Sequence, residues 1–571
     1  MILALGVLGL QAVRLALHKA FSIDEFQYAH AAWLVARGQV PYRDFFEVHF
    51  PLVYQVLAPL FGVLGDDPLN VLALRAAMLM PLAGACTAVA VLNRREGRLA
   101  AWLAPVLLLA QPAFTRFATE VRPDALAIAL FLGALALLSV RPAAPARDSA
   151  AGEPEPPAHP VTPMRGFAAG ALFVAAVWGS QKVLFYGGLV GAVLVVDLIL
   201  RRGRAPALVP TPRAFLAGAG AVLVIVAAYL TATRSWAAWW QWCFVWASEH
   251  QRHYPGFSPG KYLLPVLEEQ PWLFTLAALG VAASARRWWR SGRARWSDPD
   301  LLLLLAVPAT FGSYALQRAP FPYSLLPFLG VLAPFMARGV AEVFGWLKPP
   351  LARVAGAVVL VALLAAQGVR LEALLDGGGN ARQREVLARI ATLTGPEDVA
   401  YDNSGGYVSR PHAHFYFYTD AYLRGAIAST LAREIPEALV ASGCVLRVED
   451  LRSSGLPPAL RQFLAEHYQP LDGDISLWGQ RYETAEGHTL EGRFLAVREG
   501  RYFVEPEVAL TRGALFIDGV RMTAPEFPLS RGPHSVRYEG PAGTFHLLWL
   551  PRDGRRWTPR PGLPPTYSRL F

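Results

Sequence analysis

Cysteine and charge are both scarce in this sequence. The three cysteines, Cys86, Cys243 and Cys444, are far apart and form no CxxC or Cys/His spacing, so neither a zinc site nor a disulfide framework is indicated, and a single Cys243–Cys444 bridge stays open. Charged residues make up 17% of the chain and hydrophobic residues 54%, whereas charged residues alone reach about 25% of an average soluble protein. A lipid bilayer is therefore the expected solvent for much of the chain.

Two familiar sequence signals are also missing. The first twenty residues, MILALGVLGLQAVRLALHKA, have neither a basic start nor a small-residue cleavage site, so they predict a first membrane helix and not a removable signal peptide. No glycine-rich phosphate-binding loop follows a predicted strand, which argues against a nucleotide ligand. The net charge of +10 comes from basic clusters between apolar segments, so it indicates topology and not nucleic-acid binding.

Apolar segments near the length of a membrane span, about 20 residues, dominate the first part of the chain. About eleven such segments lie at 1–20, 69–92, 98–114, 124–140, 166–181, 182–200, 213–232, 271–285, 299–317, 321–338 and 351–371. Basic clusters occupy alternate connections, near 94–98, 141–165, 201–213, 286–295 and 338–353. The positive-inside rule places these connections in the cytoplasm, so the other connections and everything after residue 371 are predicted to lie outside it.

The predicted fold class is an α-helical polytopic membrane protein with an extracytoplasmic carboxy-terminal region. Residues 1–371 are predicted to form the membrane domain, with an outer loop at 21–68. A Pro/Ala-rich stretch at 141–165 predicts a disordered cytoplasmic linker, because its composition cannot support a packed core.

The carboxy-terminal region divides into two predicted parts. Residues 372–485 are predicted to form an α/β domain, with helical patterns at 385–393 and 459–468. Residues 486–571 are predicted to form a β-sandwich-like module of short strands, the first of them at 501–510. An Asp-Gly pair at 518–519 within this module is a strong signal for a β-hairpin.

The first predicted outer loop concentrates acidic residues at a membrane boundary. Asp24 and Glu25 follow the first span directly, and Asp44, Glu47 and His49 precede the next apolar helix. A carboxylate in such a position is costly unless it is solvated or paired, so the cluster is a candidate functional site. The alternative is a solvated loop in which Asp24 caps the following helix.

A second cluster of acidic residues at a predicted membrane boundary occurs later in the chain. Glu120, Arg122 and Asp124 lie where another apolar helix begins on the predicted outer side. Asp124 is equally consistent with the N-terminal cap of that helix, where the helix dipole favours negative charge. Because both acidic clusters are predicted on the same face of the membrane, their carboxylates can lie close to each other.

The order of these motifs resembles glycosyltransferase family 39 of the GT-C superfamily. Asp24-Glu25 with Tyr28 is followed by G-x-x-P-Y-x-D, by E-x-H-x-P-L, by a glycine-rich end of the next apolar segment, and by R-x-D at the start of a later helix. The family includes protein O-mannosyltransferases, the lipid A aminoarabinose transferase and rhizobial core-sugar transferases. The resemblance extends from residue 21 to about residue 340 in motif and topology.

The resemblance implies roles for individual residues. It implies that Asp24 is the general base or its organiser, that Asp124 supports it, and that Glu25 and Glu47 line the same cavity. Relatives close to the aminoarabinose transferase carry E-K-P where residues 47–51 of this chain read EVHFP. The resemblance therefore leaves the identity of the sugar open.

Departure of a polyprenyl phosphate requires cations or hydrogen-bond donors where negative charge develops. The candidate substrate-binding residues are Tyr28, Glu47, His49, Glu120, Arg122, Lys182, Arg252, His253, Lys261, Arg318 and Tyr323. Lys182 fits a phosphate ligand and a lysine that merely extends to the membrane interface equally well. The tryptophan-rich stretch 235–262 favours packing as an aromatic belt at the membrane surface. No dense set of metal ligands is present in the sequence, so no metal and no cofactor are predicted.

These features predict an inverting glycosyltransferase of the bacterial cytoplasmic membrane, which moves a sugar from a polyprenyl-phosphate donor to a lipid, glycan or protein acceptor on the outer face. The alternative is a transporter or flippase of a lipid-linked sugar, although the acidic groups crowd one membrane face and no inverted repeat is evident. A non-catalytic scaffold would leave the first-loop carboxylates unexplained. His412 and His414 suggest a metal pair, but an exposed loop is the commoner case.

Overall fold

The computed structural model describes residues 1–139, 162–200, 212–290, 300–375 and 379–563. Residues 141–161 of the predicted linker lie outside this range, as do parts of the basic connections, at 201–211 and 291–299. The chain forms two compact units. The helical unit comprises residues 1–19, 48–56 and 74–378, and the mixed unit comprises residues 20–47, 57–73 and 379–571. The mixed unit thus combines the carboxy-terminal residues with most of the predicted outer loop.

Helices account for most of the described chain, and each segment predicted as a span overlaps one of them. Their bounds are α1 Ile2–His18, α2 Ile23–Ala36, α3 Leu52–Leu64, α4 Val71–Leu92, α5 Arg98–Leu109, α6 Pro112–Ala118, α7 Pro123–Ser139, α8 Pro163–Gly179, α9 Val183–Leu200, α10 Pro212–Ala232, α11 Trp236–Trp240, α12 Ala247–His253, α13 Gly260–Glu269, α14 Pro271–Arg290, α15 Asp300–Ala315, α16 Leu326–Trp346, α17 Pro350–Ala373, α18 Ala381–Leu393, α19 Ala421–Ala426, α20 Ala428–Ser442, α21 Pro458–His467 and α22 Val508–Arg512.

Within the described ranges, four helical segments are long and apolar enough to cross a membrane. They are Pro68–Leu92, Arg213–Ala232, Pro322–Trp346 and Pro350–Ala373. The count rises to six if two bent helix pairs are each taken as one span, and five further apolar helices are shorter than 18 residues. The chain therefore has the helices of a membrane protein, and the number of about eleven spans stays a prediction.

The spans differ in how far the protein itself buries them. In Pro322–Trp346, 89% of the apolar window is buried inside the fold, against 11% in Arg213–Ala232 and 17% in Pro350–Ala373. The two peripheral helices expose large apolar side chains such as Val224 and Val361. Extended apolar surfaces of this kind fit contact with lipid.

Glycines let two helix pairs cross at close range in the helical unit. A Cβ added at Gly170 in α8 or Gly218 in α10 would lie 2.0 or 1.9 Å from a backbone oxygen of the other helix. Gly280 in α14 and Gly339 in α16 stand in the same relation, at 1.9 and 2.0 Å. Small residues at such crossings allow backbones to approach closely, which is how helices in membranes gain packing energy.

Two β-sheets lie in the mixed unit. The strands are β1 Ala400–Tyr401, β2 Leu446–Val448, β3 Tyr468–Pro470, β4 Ile475–Thr484, β5 Leu490–Ala496, β6 Gly500–Glu505, β7 Ala514–Ile517, β8 Val520–Arg521, β9 Glu526–Leu529, β10 Gly532–Glu539 and β11 Gly543–Trp549. One sheet has the order β1-β2-β4-β11-β6-β9, with β3 paired to β4, and the other has the order β5-β10-β7-β8. Strands β1 and β2 run parallel, whereas β4 and β11 run antiparallel.

Local patterns in this region are confirmed in detail, with one exception. Helix α18 covers the predicted segment 385–393, and α21 covers the predicted segment 459–468 except its last residue, which begins β3. Positive φ angles at Asp518 and Gly519, 50° and 79°, form the hairpin between β7 and β8. The strand predicted at 501–510 is wrong in its second half, because β6 ends at Glu505 and α22 follows. Pro506 has no N–H for the ladder, which explains why the strand stops there. Strand β4 lies before the predicted boundary at residue 485 and β11 lies after it, and the two strands pair with each other.

Candidate functional site

Helix α2 begins with a capping box that does not use Asp24. Ser22 is the N-cap residue, its side chain accepts from the backbone of Glu25, and its own backbone N–H donates to the Glu25 carboxylate at 3.0 Å. The alternative in which Asp24 caps the helix is therefore wrong, since Ser22 fills that position and Asp24 is the second helical residue. Glu25 is fully buried and helps to fix the first turn of the helix.

Asp24 pairs with an arginine from the far end of the chain. The Nη2 atom of Arg452 donates to Oδ1 of Asp24 at 3.2 Å, and the side chains are only 8% and 13% exposed. Arg452 follows β2 in the segment LRVEDLRSSG, which has no recognisable motif. The sequence offered no signal for this residue, because the contact joins positions 428 residues apart.

Glu47, another acidic residue of the predicted outer loop, is fully buried. The hydroxyl of Tyr418 donates to Oε1 of Glu47 at 3.5 Å, and the Tyr418 ring packs on Phe46 with centroids 4.9 Å apart. Burial and the neighbouring Glu47 carboxylate raise the pKa of Tyr418 well above its ordinary value, so its hydroxyl keeps its proton. Tyr28 is also buried, on helix α2.

Asp124, in the helical unit, is the second residue of α7 and has two side-chain partners. The Ser180 hydroxyl donates to Oδ1 at 2.9 Å, and Nζ of Lys182 donates to Oδ2 at 2.8 Å. The same Nζ atom lies 3.3 Å from the hydroxyl of Ser324. Lys182 is therefore held against a carboxylate, although 24% of its side chain remains exposed.

Two cations lie against the ring of Tyr323. The guanidinium carbon of Arg122 is 4.1 Å from the ring centroid and Nζ of Lys182 is 4.8 Å from it, both within range of a cation–π contact. Arg122 also forms a buried ion pair with Glu120, which pairs in turn with Lys19. The structure thus brings five predicted residues together, Asp124, Lys182, Tyr323, Arg122 and Glu120, and adds Lys19.

A row of aromatic rings leads from Tyr323 to two more of the predicted cations. The Tyr323 and Phe321 rings stack with centroids 5.6 Å apart, and Phe321 contacts Phe257 at 5.3 Å. Nζ of Lys261 lies 4.7 Å from the Phe257 centroid, and the backbone carbonyl of Arg318 accepts from the Phe257 N–H at 3.0 Å. These contacts connect Tyr323 with Lys261 and with the backbone of Arg318 within the helical unit.

The remaining predicted residues lie elsewhere in the helical unit. Arg252 and His253 end α12 and are exposed, and Nδ1 of His253 contacts the Glu249 carbonyl at 3.0 Å. His49 is half-buried. The predicted roles of these three residues in substrate binding stay predictions.

The two histidines that suggested a metal pair, His412 and His414, are not in a fully exposed loop. His412 is half-buried, and burial, with His414 nearby, lowers its pKa to about 4. Nε2 of His414 lies 3.4 Å from a carboxylate oxygen of Glu434. Within the part of the chain that the structure describes, no group of three or more His, Cys, Asp or Glu side chains is placed to hold a metal ion.

Comparison with known proteins gives structural neighbours only, because no protein-family model and no curated protein matches the chain. ArnT from Cupriavidus metallidurans in the apo state is 15% identical, with a TM-score of 0.54 over 83% of this chain and 97% of that chain. ArnT bound to undecaprenyl phosphate is 14% identical, with a TM-score of 0.49 over 94% and 96%. The oligosaccharyltransferase of Archaeoglobus fulgidus in the apo form is 12% identical, with a TM-score of 0.46 over 82% and 72%.

The likeness to apo ArnT shows the fold of this chain. The chain shares the fold of that protein, so the predicted resemblance is confirmed at the level of fold alone.

Proposed function

We propose that this protein is a membrane glycosyltransferase that moves a sugar from a polyprenyl-phosphate donor to an acceptor on the outer face of the bacterial cytoplasmic membrane. The observation that carries the proposal is the group formed by Asp124, Lys182, Arg122 and Tyr323 within a GT-C fold. Two cations on one tyrosine ring, beside a carboxylate, provide the positive charge that a phosphate leaving group requires.

Lys182 is the proposed ligand of the donor phosphate. Its side chain is 24% exposed, whereas that of Arg122 is 1% exposed and already paired with Glu120. A phosphate can therefore reach Lys182, while Arg122 holds the Tyr323 ring in place. The choice of donor class draws on ArnT, which shares the fold and has a structure bound to undecaprenyl phosphate.

Asp24 is the proposed general base. It takes the proton from the acceptor hydroxyl, whose oxygen attacks the anomeric carbon, and the bond from that carbon to the phosphate oxygen breaks with its electron pair leaving on the polyprenyl phosphate. One displacement of this kind inverts the anomeric configuration. We choose Asp24 over Glu25 because the Glu25 carboxylate is committed to the capping box. In place of the predicted support of Asp24, Asp124 is proposed to fix Lys182, whose Nζ atom donates to its carboxylate.

A deletion strain tests this function in the cell. Mass spectrometry of surface glycans is expected to show the loss of one sugar residue from one glycan, restored by the wild-type chain and not by the Asp24→Asn variant. The Asp518→Asn variant is the control, since Asp518 lies in the hairpin between β7 and β8. An unchanged glycan profile in the deletion strain would refute the proposed function.

The proposed outward site makes a separate demand on topology. A reporter that is active only outside the cytoplasm is expected to be active when fused after residue 571 and inactive when inserted near residue 150. The basis is the alternation of basic connections along the chain. A cytoplasmic carboxy terminus would place the Asp24 loop on the wrong side for a lipid-linked donor.

A further inference from the structure

The carboxylate of Asp24 has an arginine partner from the carboxy-terminal region. Its Oδ1 atom accepts from Nη2 of Arg452 at 3.2 Å, and both side chains are nearly buried. Asp24 is not needed for the cap, because Ser22 and Glu25 close the capping box between them. The Asp24–Arg452 pair is therefore not a by-product of starting helix α2.

Arg452 is held at both ends of its guanidinium. While Nη2 reaches Asp24, Nη1 donates to the backbone carbonyl of Asn403 at 3.1 Å. The backbone of the same residue is fixed by Asp450, whose Oδ1 atom accepts from the N–H groups of Arg452 and Ser453 at 2.8 and 3.0 Å. A guanidinium restrained in this way loses little further freedom when it orients a carboxylate.

The turn that receives Arg452 is itself fixed by buried carboxylates. Asp402 accepts from the backbone N–H groups of Ser404, Gly405 and Gly406 at 3.0, 2.7 and 2.5 Å. Asp450 accepts from the Ser404 hydroxyl at 2.6 Å. The Asn403 carbonyl is therefore a rigid point, and Arg452 transmits that rigidity to Asp24.

A general base gains most from such support. The proton it removes must lie within about 2.6–3.2 Å of the accepting oxygen, and a misplacement of about 1 Å can cost about 100-fold in rate. A guanidinium on Oδ1 fixes the rotation of the carboxylate and so fixes the direction of both oxygens. Asn in place of Asp24 would keep the shape but not the basicity.

We propose that Arg452 is a positioning residue for Asp24: it acts through the carboxylate and not through the substrate. The inference rests on the proposed function and assigns to the carboxy-terminal region a direct part in the chemistry. It predicts that the loop after β2 is required for turnover although it carries no catalytic motif.

The test uses the full-length protein in lipid nanodiscs, with a polyprenyl-phosphate sugar as donor and saturating acceptor. Arg452→Gln is expected to lower kcat about 10- to 100-fold and to change KM for the donor less than about twofold. Arg452→Lys, which keeps the charge but not the planar fork, is expected to recover part of kcat. Added methylguanidine is expected to raise the rate of Arg452→Ala and not that of the wild type.

Arg447→Gln is the matched control. The side chain of Arg447 is 12% exposed, close to the 8% of Arg452, and lies five residues before it in the chain. Arg447 pairs with Glu449 at 2.7 Å, so its loss changes the same segment but leaves the Asp24–Arg452 contact in place. Its kcat is expected to stay within about twofold of wild type. The Asp24→Asn/Arg452→Gln double variant is expected to be no slower than Asp24→Asn alone, because a positioning residue has nothing left to position.

Each outcome decides the matter. A folded Arg452→Gln protein with wild-type kcat, or a double variant slowed by the product of the two single effects, would overturn the inference while leaving the proposed function intact. If Arg452→Gln does not fold, Arg452→Lys decides: a reduced kcat with an unchanged KM supports the inference, and a wild-type kcat refutes it. A wild-type protein that transfers no sugar would instead refute the proposed function itself.

Discussion

Asp24 and Asp124 occupy the same position in their helices but obtain their cations in different ways. Each is the second residue of a helix, and each accepts a hydrogen bond from a basic side chain, Arg452 for Asp24 and Lys182 for Asp124. Lys182 lies 58 positions from Asp124, in the hairpin between two apolar segments of the helical unit. Arg452 lies 428 positions from Asp24, in the mixed unit. The Asp124–Lys182 pair therefore joins apolar segments that are close in sequence, whereas the Asp24–Arg452 pair depends on the tertiary fold.

The largest expected effect comes from Asp24→Asn. This variant tests whether the Asp24 carboxylate, in its pair with Arg452, acts as the general base. The rate of transfer is expected to fall about 10²- to 10⁴-fold, the usual contribution of a general base. Thermal stability and donor binding should change little, because Ser22 caps the helix and Asn keeps the shape of the side chain. A purified variant that binds donor and still transfers sugar at nearly the wild-type rate would move the role of base to Glu25 or Glu47.

The next effect comes from the pair in the helical unit. Asp124→Asn is expected to lower kcat about 10- to 100-fold, since Lys182 loses the carboxylate that orients it. Lys182→Gln is expected mainly to raise KM for the donor, because it removes a ligand of the phosphate. Lys261→Gln changes the other lysine that is predicted to bind substrate, which packs on Phe257, and is measured for comparison. Equal increases of KM for the donor in Lys182→Gln and Lys261→Gln would contradict the assignment of the donor phosphate to Lys182.

The contrast also shows what could be predicted from the sequence. Lys182 was predicted because Ser180, Gln181 and Lys182 interrupt a long apolar run, and polar residues there are conspicuous. Arg452 was missed because soluble sequence is rich in charge, so one more arginine carries no signal. Ser22 was missed as the cap because Asp24 and Ser22 both suit that role, and only the backbone at position 22 decides between them.

The same division holds for the fold. Helices, the 518–519 hairpin and the apolar segments follow from local periodicity and turn chemistry. The pairing of β4 with β11 and the grouping of residues 20–47 with the carboxy-terminal residues depend on contacts distant in sequence. Such contacts leave no local pattern.

A small effect is expected at Asp44, the third acidic position of the predicted outer loop. Its side chain is 30% exposed, and it accepts from Arg43 and from the backbone N–H of Val40, each at 2.8 Å. Asp44→Asn is expected to leave kcat within about threefold of wild type. A loss as large as that of Asp24→Asn would show that exposure does not separate catalytic from structural carboxylates in this loop.

The smallest effect is a pH dependence confined to the mixed unit. Burial and the neighbouring Asp450 carboxylate raise the pKa of Asp402 to about 7, against an opposing effect of backbone N–H groups. From about pH 4 to about pH 7 the folded state therefore keeps a proton that the unfolded state has released, so this group's contribution to stability is lost as pH rises.

The Asp402→Asn variant removes that titration. The thermal midpoint of the wild type relative to the variant is expected to be higher at pH 5 than at pH 8, measured on the full-length protein in detergent. A difference that stays constant across this range would show that Asp402 is ionised throughout, and that the turn holding Arg452 does not respond to pH.

The fate of the donor in the presence of purified wild-type protein and an acceptor extract decides whether this protein transfers sugar. With a polyprenyl-phosphate sugar labelled in the sugar, we expect label to pass to the acceptor and free polyprenyl phosphate to be released in equal amount. Intact donor after incubation would indicate binding or transport without transfer. Transfer from a nucleotide sugar alone, with the lipid-linked sugar left unused, would refute the proposed donor.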